Sequence, residues 1–213
     1  MKQNWNDRFL ALVNGWDGTP FRMAVVGDTH VPDRMGRLHP QLLDEVDRQK
    51  PDGIVHTGDC STTAVLHQFA EIAPVLAVRG NRDWFVEGQL PTCESFEILG
   101  QRVSCTHGHG SLFHYLIEKV KYFTIGYQQN HYTEMLRQKF PGSRLIIFGH
   151  SHTCLNEWSG CQLFFNPGSS VHVPNPRCGC TYGMVEITPG GTIDAVLYPL
   201  TGWKRNGREW VQV

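Results

Sequence analysis

The chain has 213 residues, of which 40% are hydrophobic and 11% aromatic, and a formal net charge of -1. That length supports one domain with a substantial core. The composition excludes a disordered chain, a basic surface built to coat nucleic acid, and an acidic tail. The first apolar run, FLALV, is far too short for a membrane span or a signal-peptide core, so the sequence predicts a cytoplasmic protein with neither a membrane partner nor a stable nucleic-acid partner.

Residues 1–20 precede the first convincing strand and carry Trp5 and Trp16. They read as an N-terminal extension, either a short helix docked on the body or an interface element, with residues 21–213 as a single domain. From Phe21 onward short β-branched runs alternate with helical spacing, a β-α rhythm. RMAVVGD (22–28) reads as a buried strand. HPQLLDEVDRQK (39–50) reads as an amphipathic helix with Leu42, Leu43 and Val46 on one face. PDGIVHTGD (51–59) is the next strand. STTAVLHQFAEI (61–72) offers Ser61 or Thr62 as helix N-cap, and PVLAVRGN (74–81) follows as a strand.

The later segments change texture. SFEILGQRVSCTHG (95–108) predicts a hairpin turning near Gly100, and GYQQNHYTEMLRQKF (126–140) a helix ahead of the strand RLIIFGH (144–150). Two more hairpins turn at Ser159-Gly160 and at Gly190-Gly191. Together these predict a mixed pair of sheets, parallel early and antiparallel late, covered by helices. Seven cysteines in a chain of this kind predict reduced thiols; Cys154, Cys161, Cys178 and Cys180 lack the CxxC pairs of a zinc knot.

The polar residues that follow the strands carry the chemistry, because in open α/β sheets a site gathers beyond the carboxyl ends of the strands. The first strand leads into GDTH (Asp28, His30), the second into GDC (Asp59) and the third into GNRD (Asn81). The hairpin leads into THGH (His107) and the late strand into GHSH (His150, His152). Each segment sets glycine beside Asp, Asn or His at the end of an apolar run. One such coincidence is a turn cap; five imply a shared point. Carboxylates, an amide oxygen and imidazoles without thiolates suit divalent manganese, iron, zinc or nickel. Seven ligands exceed what one ion needs, so a pair of ions sharing a carboxylate is expected.

The ordered set GDxH, GD, GN, H, GHxH resembles the calcineurin-like metallophosphoesterase superfamily, and FFNPGSS (164–170) with the small size resembles its compact phosphodiesterase branch. The resemblance runs from about Met23 to Val185. It implies a four-layer α/β/β/α fold in which Asp28, His30, Asp59 and His152 hold one metal while Asp59, Asn81, His107 and His150 hold the other. It further implies two divalent ions, manganese first among them, and a hydroxide between the ions attacking phosphorus in line. The substrate would be a small phosphate ester or nucleotide, a diester first and a monoester or pyrophosphate as the alternative. The fold also serves as a non-catalytic scaffold in the retromer subunit of the superfamily. Homo-oligomerisation stays open.

One position departs from the wider superfamily, where many members read Gly-Asn-His-Asp/Glu. Here the segment is GNRD. Arg82 cannot give up a proton at neutral pH, although its fork can clamp phosphate oxygens, so Asp59, Asn81, Arg82 and His109 form the catalytic set, with His109 as substitute proton donor. Asp83 is expected to orient the imidazoles. His39, His56, His67, His114, His131 and His172 lack the glycine context and read as surface or satisfied core; Trp84 and Tyr127 read as core packing before base stacking.

Overall fold

The structure, a computed structural model, describes residues 5–83, 86, 90–108, 129–171 and 179–213, with side chains in the 129–139 helix from residue 132 onward. His109, Trp84 and Tyr127 fall outside the described residues, as do the side chains of His114, His131, His172 and Cys178.

Twelve described strands and four helices follow the predicted rhythm. Their order is α1 (Trp5–Asn14), β1 (Phe21–Val26), α2 (Leu42–Arg48), β2 (Gly53–His56), α3 (Thr63–Ala70), β3 (Val75–Ala77), β4 (Cys93–Ile98), β5 (Gln101–Thr106), α4 (Gln129–Lys139), β6 (Leu145–Ile147), β7 (Leu155–Ser159), β8 (Gln162–Asn166), β9 (Cys180–Ile187), β10 (Ile193–Leu200), β11 (Trp203–Asn206) and β12 (Glu209–Gln212). One sheet runs β10-β9-β1-β2-β3 and the other β4-β5-β6-β8-β7. In the first, β1, β2 and β3 are parallel and β9 and β10 antiparallel. The sheets are mixed as expected, but the late half is not antiparallel throughout, since β6 pairs in parallel with both β5 and β8. Pairing between strands separated by another element leaves no local mark in the sequence.

The period-2 alternation sorts the side chains into layers. Met23, Val25, Val55 and Leu76 of the first sheet meet Val103, Leu145, Ile147, Leu163 and Phe165 of the second in one core. The opposite faces pack outward. Ala24, Val26, Ile54 and Val75 bury against Leu42, Val46, Leu66 and Phe69 of α2 and α3, and Ile146 and Phe164 against Tyr132 and Leu136 of α4. The result is the α/β/β/α order of layers.

The N-terminal segment is a docked helix. Phe9 of α1 is fully buried between the sheets with Phe21 and Phe96. Asn6 acts like a missing strand on the exposed edge of β3: its Nδ2 donates to Ala77 O at 3.2 Å and its Oδ1 accepts from Ala77 N at 2.9 Å. That pairing covers the edge. Thr62 is the N-cap of α3, accepting from Ala64 N at 3.4 Å. Helix α2 starts at Leu42 rather than residue 39, behind Gln41, whose side chain makes no capping bond. The hairpin β11–β12 was not expected from the sequence. Among the described residues no helix is long and apolar enough to cross a membrane. Cys60, Cys93, Cys105, Cys161 and Cys180 are free thiols, but Cys154 is disulfide-bonded, which corrects the expectation of reduced thiols at that position.

Candidate metal centre

Strands β1, β2 and β6 end before the Gly-Asp and Gly-His pairs that follow them, because the residues after each strand turn out of the sheet. Asp28, His30, Asp59, His150 and His152 all have left-handed backbone, with φ of 51, 47, 55, 68 and 54°. Non-glycine residues adopt this region rarely, at a cost of roughly 1–2 kcal/mol each. Five such residues in one cluster mark a site where geometry outweighs local comfort. The flanking glycines matter for close approach. A Cβ on Gly149 would stand 2.6 Å from Thr57 Oγ1 and 2.9 Å from Asp28 Oδ2, and one on Gly58 2.7 Å from Gly80 N.

The loops bring all seven expected ligand residues together. On one side Asp28 Oδ1 lies 3.2 Å from His152 Nε2 and 3.9 Å from His30 Nε2, and the two imidazole Nε2 atoms are 3.1 Å apart. On the other, Asn81 Oδ1 lies 3.0 Å from both His107 Nε2 and His150 Nδ1, which are 3.3 Å apart. Asp59 stands between them, with Oδ2 3.6 Å from His30 Nε2 and Oδ1 3.6 Å from His107 Nε2. Among the described residues two groups are close enough to hold a cation: Asp28, His30 and His152, and Asp28, Asp59 and His107. The donor chemistry fits a divalent ion on a specific ground: Asp28 Oδ1 is buried, makes no hydrogen bond, and faces imidazole nitrogens.

A profile of the calcineurin-like phosphoesterase superfamily domain matches residues 21–190. The chain belongs to that superfamily. It is 27% identical over 183 residues to a probable metallophosphoesterase of Methanocaldococcus jannaschii, covering 86% of this chain and 83% of that protein. In fold it is similar to vacuolar protein sorting 29 from Cryptosporidium parvum (TM-score 0.67, 14% identity, 92% of this chain and 96% of that one). It is also similar to an archaeal phosphodiesterase (TM-score 0.56, 18% identity, 84% of this chain and all, 100%, of the other). The superfamily is one of metal-dependent phosphoesterases, and the structure shows residues able to hold a divalent ion.

A second ring of contacts holds the phosphoesterase's donors in place. His107 Nδ1 bonds Thr57 O at 2.8 Å; the carbonyl can only accept, so the ring proton sits on Nδ1 and Nε2 faces the centre with its lone pair. His56, fully buried, accepts from Gly58 N at 3.2 Å through Nδ1, which places its proton on Nε2 toward Thr29 Oγ1, also at 3.2 Å. It thereby ties the GDTH loop to the GDC loop, and burial pushes its pKa down to about 4, keeping it neutral. The NPGS segment lies beside the centre: Ser169 Oγ donates to Asp28 O at 2.9 Å, and Asn166 Nδ2 to Gly149 O at 3.0 Å.

Asp83 does something the sequence did not suggest. Among the described residues it makes no hydrogen bond to an imidazole; its Oδ2 accepts from Asp59 N at 2.9 Å and Gly80 N at 2.8 Å, and its Oδ1 from Ser61 N at 2.8 Å. The carboxylate therefore holds the backbone of the strained Asp59 loop. Arg82 donates from its backbone N to Asp59 Oδ1 at 2.8 Å, while its guanidinium pairs with Asp33 at 2.8 Å rather than with Asp83. That ion pair is 41% and 33% exposed, which makes it worth no more than about 1 kcal/mol and readily exchanged.

The electrostatics are those of carboxylates and imidazoles buried together. Burial, reinforced by the negative charge of Asp28, raises the Asp59 carboxyl to about 6. Burial drives His30 far down against the opposing charge of Asp28, and His152, Arg34 and Arg82 push the same way as burial. Burial would raise Asp28, but His152, His107 and His30 together outweigh it and hold this carboxyl well below the usual range. Burial opposes a charge on His107 too, and the carboxylates of Asp59 and Asp28 overcome it, raising its pKa. A dication would satisfy every one of these donors at once.

Proposed function

We propose that this superfamily member hydrolyses phosphodiesters at a two-ion centre, with Asp28, His30, Asp59 and His152 on one ion and Asp59, Asn81, His107 and His150 on the other. The observation that carries the reading is Asp59, whose two oxygens face two different groups of donors. Divalent ions in such a set acidify water toward neutral pH and neutralise phosphoryl charge. Manganese is the expected ion, with iron, zinc and nickel also matched by the oxygen and nitrogen donors.

The protein's own residues divide the work. Asp28 and Asp59 supply two negative charges, His107 presents Nε2 because Thr57 holds its other nitrogen, and Asn81 supplies a neutral oxygen between two imidazoles. Arg82 carries a fork that exchanges Asp33 for a phosphate oxygen, and His109 is assigned the leaving-group proton. The diester preference rests on the absence of the usual histidine at position 82 and on the similarity to a protein described as a phosphodiesterase. The site of action is the cytoplasm and the substrate a small phosphate ester or nucleotide.

Cleavage of bis(p-nitrophenyl) phosphate against p-nitrophenyl phosphate, with added Mn²⁺, tests the reading. Diester turnover is expected to exceed monoester turnover and to vanish in Asp59→Asn and His107→Ala. Metal binding without turnover of any phosphate ester would leave the scaffold reading, prompted by the likeness to vacuolar protein sorting 29, as the better one.

A further inference from the structure

Beyond the donors lies a cation that the chemistry above does not use. Arg34 sits one turn past His30, its backbone N donating to His30 O at 2.8 Å. It is half-buried, and among the described residues its guanidinium has no hydrogen bond or ion-pair partner. Its sequence neighbour Asp33 is engaged by Arg82 at 2.8 Å and lies 3.6 Å from His30 Nδ1. The charges that bear on Arg34 are those of Arg82, Asp33, Asp59 and Asp28, and its own bears on His30. So the guanidinium stands within electrostatic reach of both carboxylates of the centre. A partly desolvated arginine left unpaired is costly unless something negative completes it.

The segment that carries it is held still. Gly36 N donates to Arg208 O at 2.9 Å, the Arg208 guanidinium bonds Pro32 O, and Trp210 Nε1 donates to Arg37 O at 3.1 Å. Trp210 also packs edge-on against His39, ring centroids 4.7 Å apart. The hairpin β11–β12 thus braces residues 32–39 from outside, which fixes Arg34 before any ligand arrives and lowers the ordering cost of using it.

We infer that Arg34 is a substrate-binding residue that grips a non-bridging oxygen of the phosphoryl group, the anion that completes its charge; this rests on the proposed function. The guanidinium fork suits two oxygens of one phosphate.

The test uses full-length protein loaded with Mn²⁺ and inorganic phosphate as the probe. Phosphate binding is measured by calorimetry beside diester turnover and metal content for wild type, Arg34→Gln and Arg34→Lys. Arg34→Gln is expected to weaken phosphate binding and raise KM roughly tenfold or more with metal content unchanged, and Arg34→Lys to recover part of the loss. Phosphate affinity in Arg34→Gln within about twofold of wild type overturns the inference, as does a fall in metal content that matches the loss of binding. Wild type that binds phosphate without hydrolysing any ester would overturn the functional reading while leaving Arg34 measurable.

Discussion

Asp83 offers the sharpest prediction about how the centre is built. Its carboxylate, 4% exposed, accepts three backbone N–H groups, from Asp59, Gly80 and Ser61, at 2.8–2.9 Å. In Asp83→Ala these donors lose a charged acceptor inside the protein. Each orphaned donor costs about 1–3 kcal/mol, and allowing for one re-satisfied by entering water the sum is roughly 2–6 kcal/mol. That is a large part of the ~5–15 kcal/mol by which a domain is stable. The same bonds hold Asp59 and Ser61 at φ of 55 and 65°, so releasing them lets the loop relax to ordinary backbone and withdraws the Asp59 carboxylate from the two donor groups it faces. Urea unfolding of the metal-free protein reads the first effect and Mn²⁺ titration the second. Asp83→Asn, which keeps one acceptor but turns an amide NH₂ toward N–H donors, should fall between. A loss in Asp83→Ala below about 1 kcal/mol, or unchanged metal affinity, would refute the role assigned to these three bonds.

The remaining predictions probe other levels. Because Asp59 titrates near 6 in the metal-free protein, above an ordinary carboxylate, it is protonated below that pH and a metal must displace the proton; affinity should fall by up to about tenfold per pH unit below about 6, and calorimetry at about pH 5 and 7.5 checks this. Equal affinity at both would mean that Asp59 is not a ligand. Gly149→Ala places a Cβ against Thr57 and Asp28, and should cut Mn²⁺ affinity at least about tenfold while the protein stays folded by circular dichroism. Asn6→Ala strips the edge partner of Ala77 and should cost about 2–4 kcal/mol, read as a Tm lower by roughly 5–10 °C; a shift under about 2 °C would mean that α1 is not needed to cover β3.

The donors were legible because each of the five strands or hairpins that feed the centre ends in glycine beside a polar residue, a signal carried within four residues of sequence. The strand ends were not. RMAVVGD reads as strand through Asp28, yet β1 stops at Val26 because Asp28 is left-handed, and the same overshoot occurs at Asp59 and His150. Apolar periodicity records burial, not the backbone turn that aims a ligand. Asp83 and His56 were hidden for a related reason: a carboxylate that accepts backbone N–H groups and a neutral imidazole bridging two loops have the same local signature as a surface cap and a core histidine. Arg34 carries no local signal, since its lack of a partner exists only once Asp33 has turned to Arg82. The final hairpin was detectable, because Asn206-Gly207 is a hairpin turn pair, but its polar strands masked it.

The central claim is that distant loops build a site for two cations, and metal stoichiometry tests it most directly. Wild type equilibrated with Mn²⁺, freed of unbound ion and assayed by elemental analysis should hold two equivalents per chain, and His152→Ala, which empties one side only, should hold one. A wild-type protein that retains one ion or none would contradict the account.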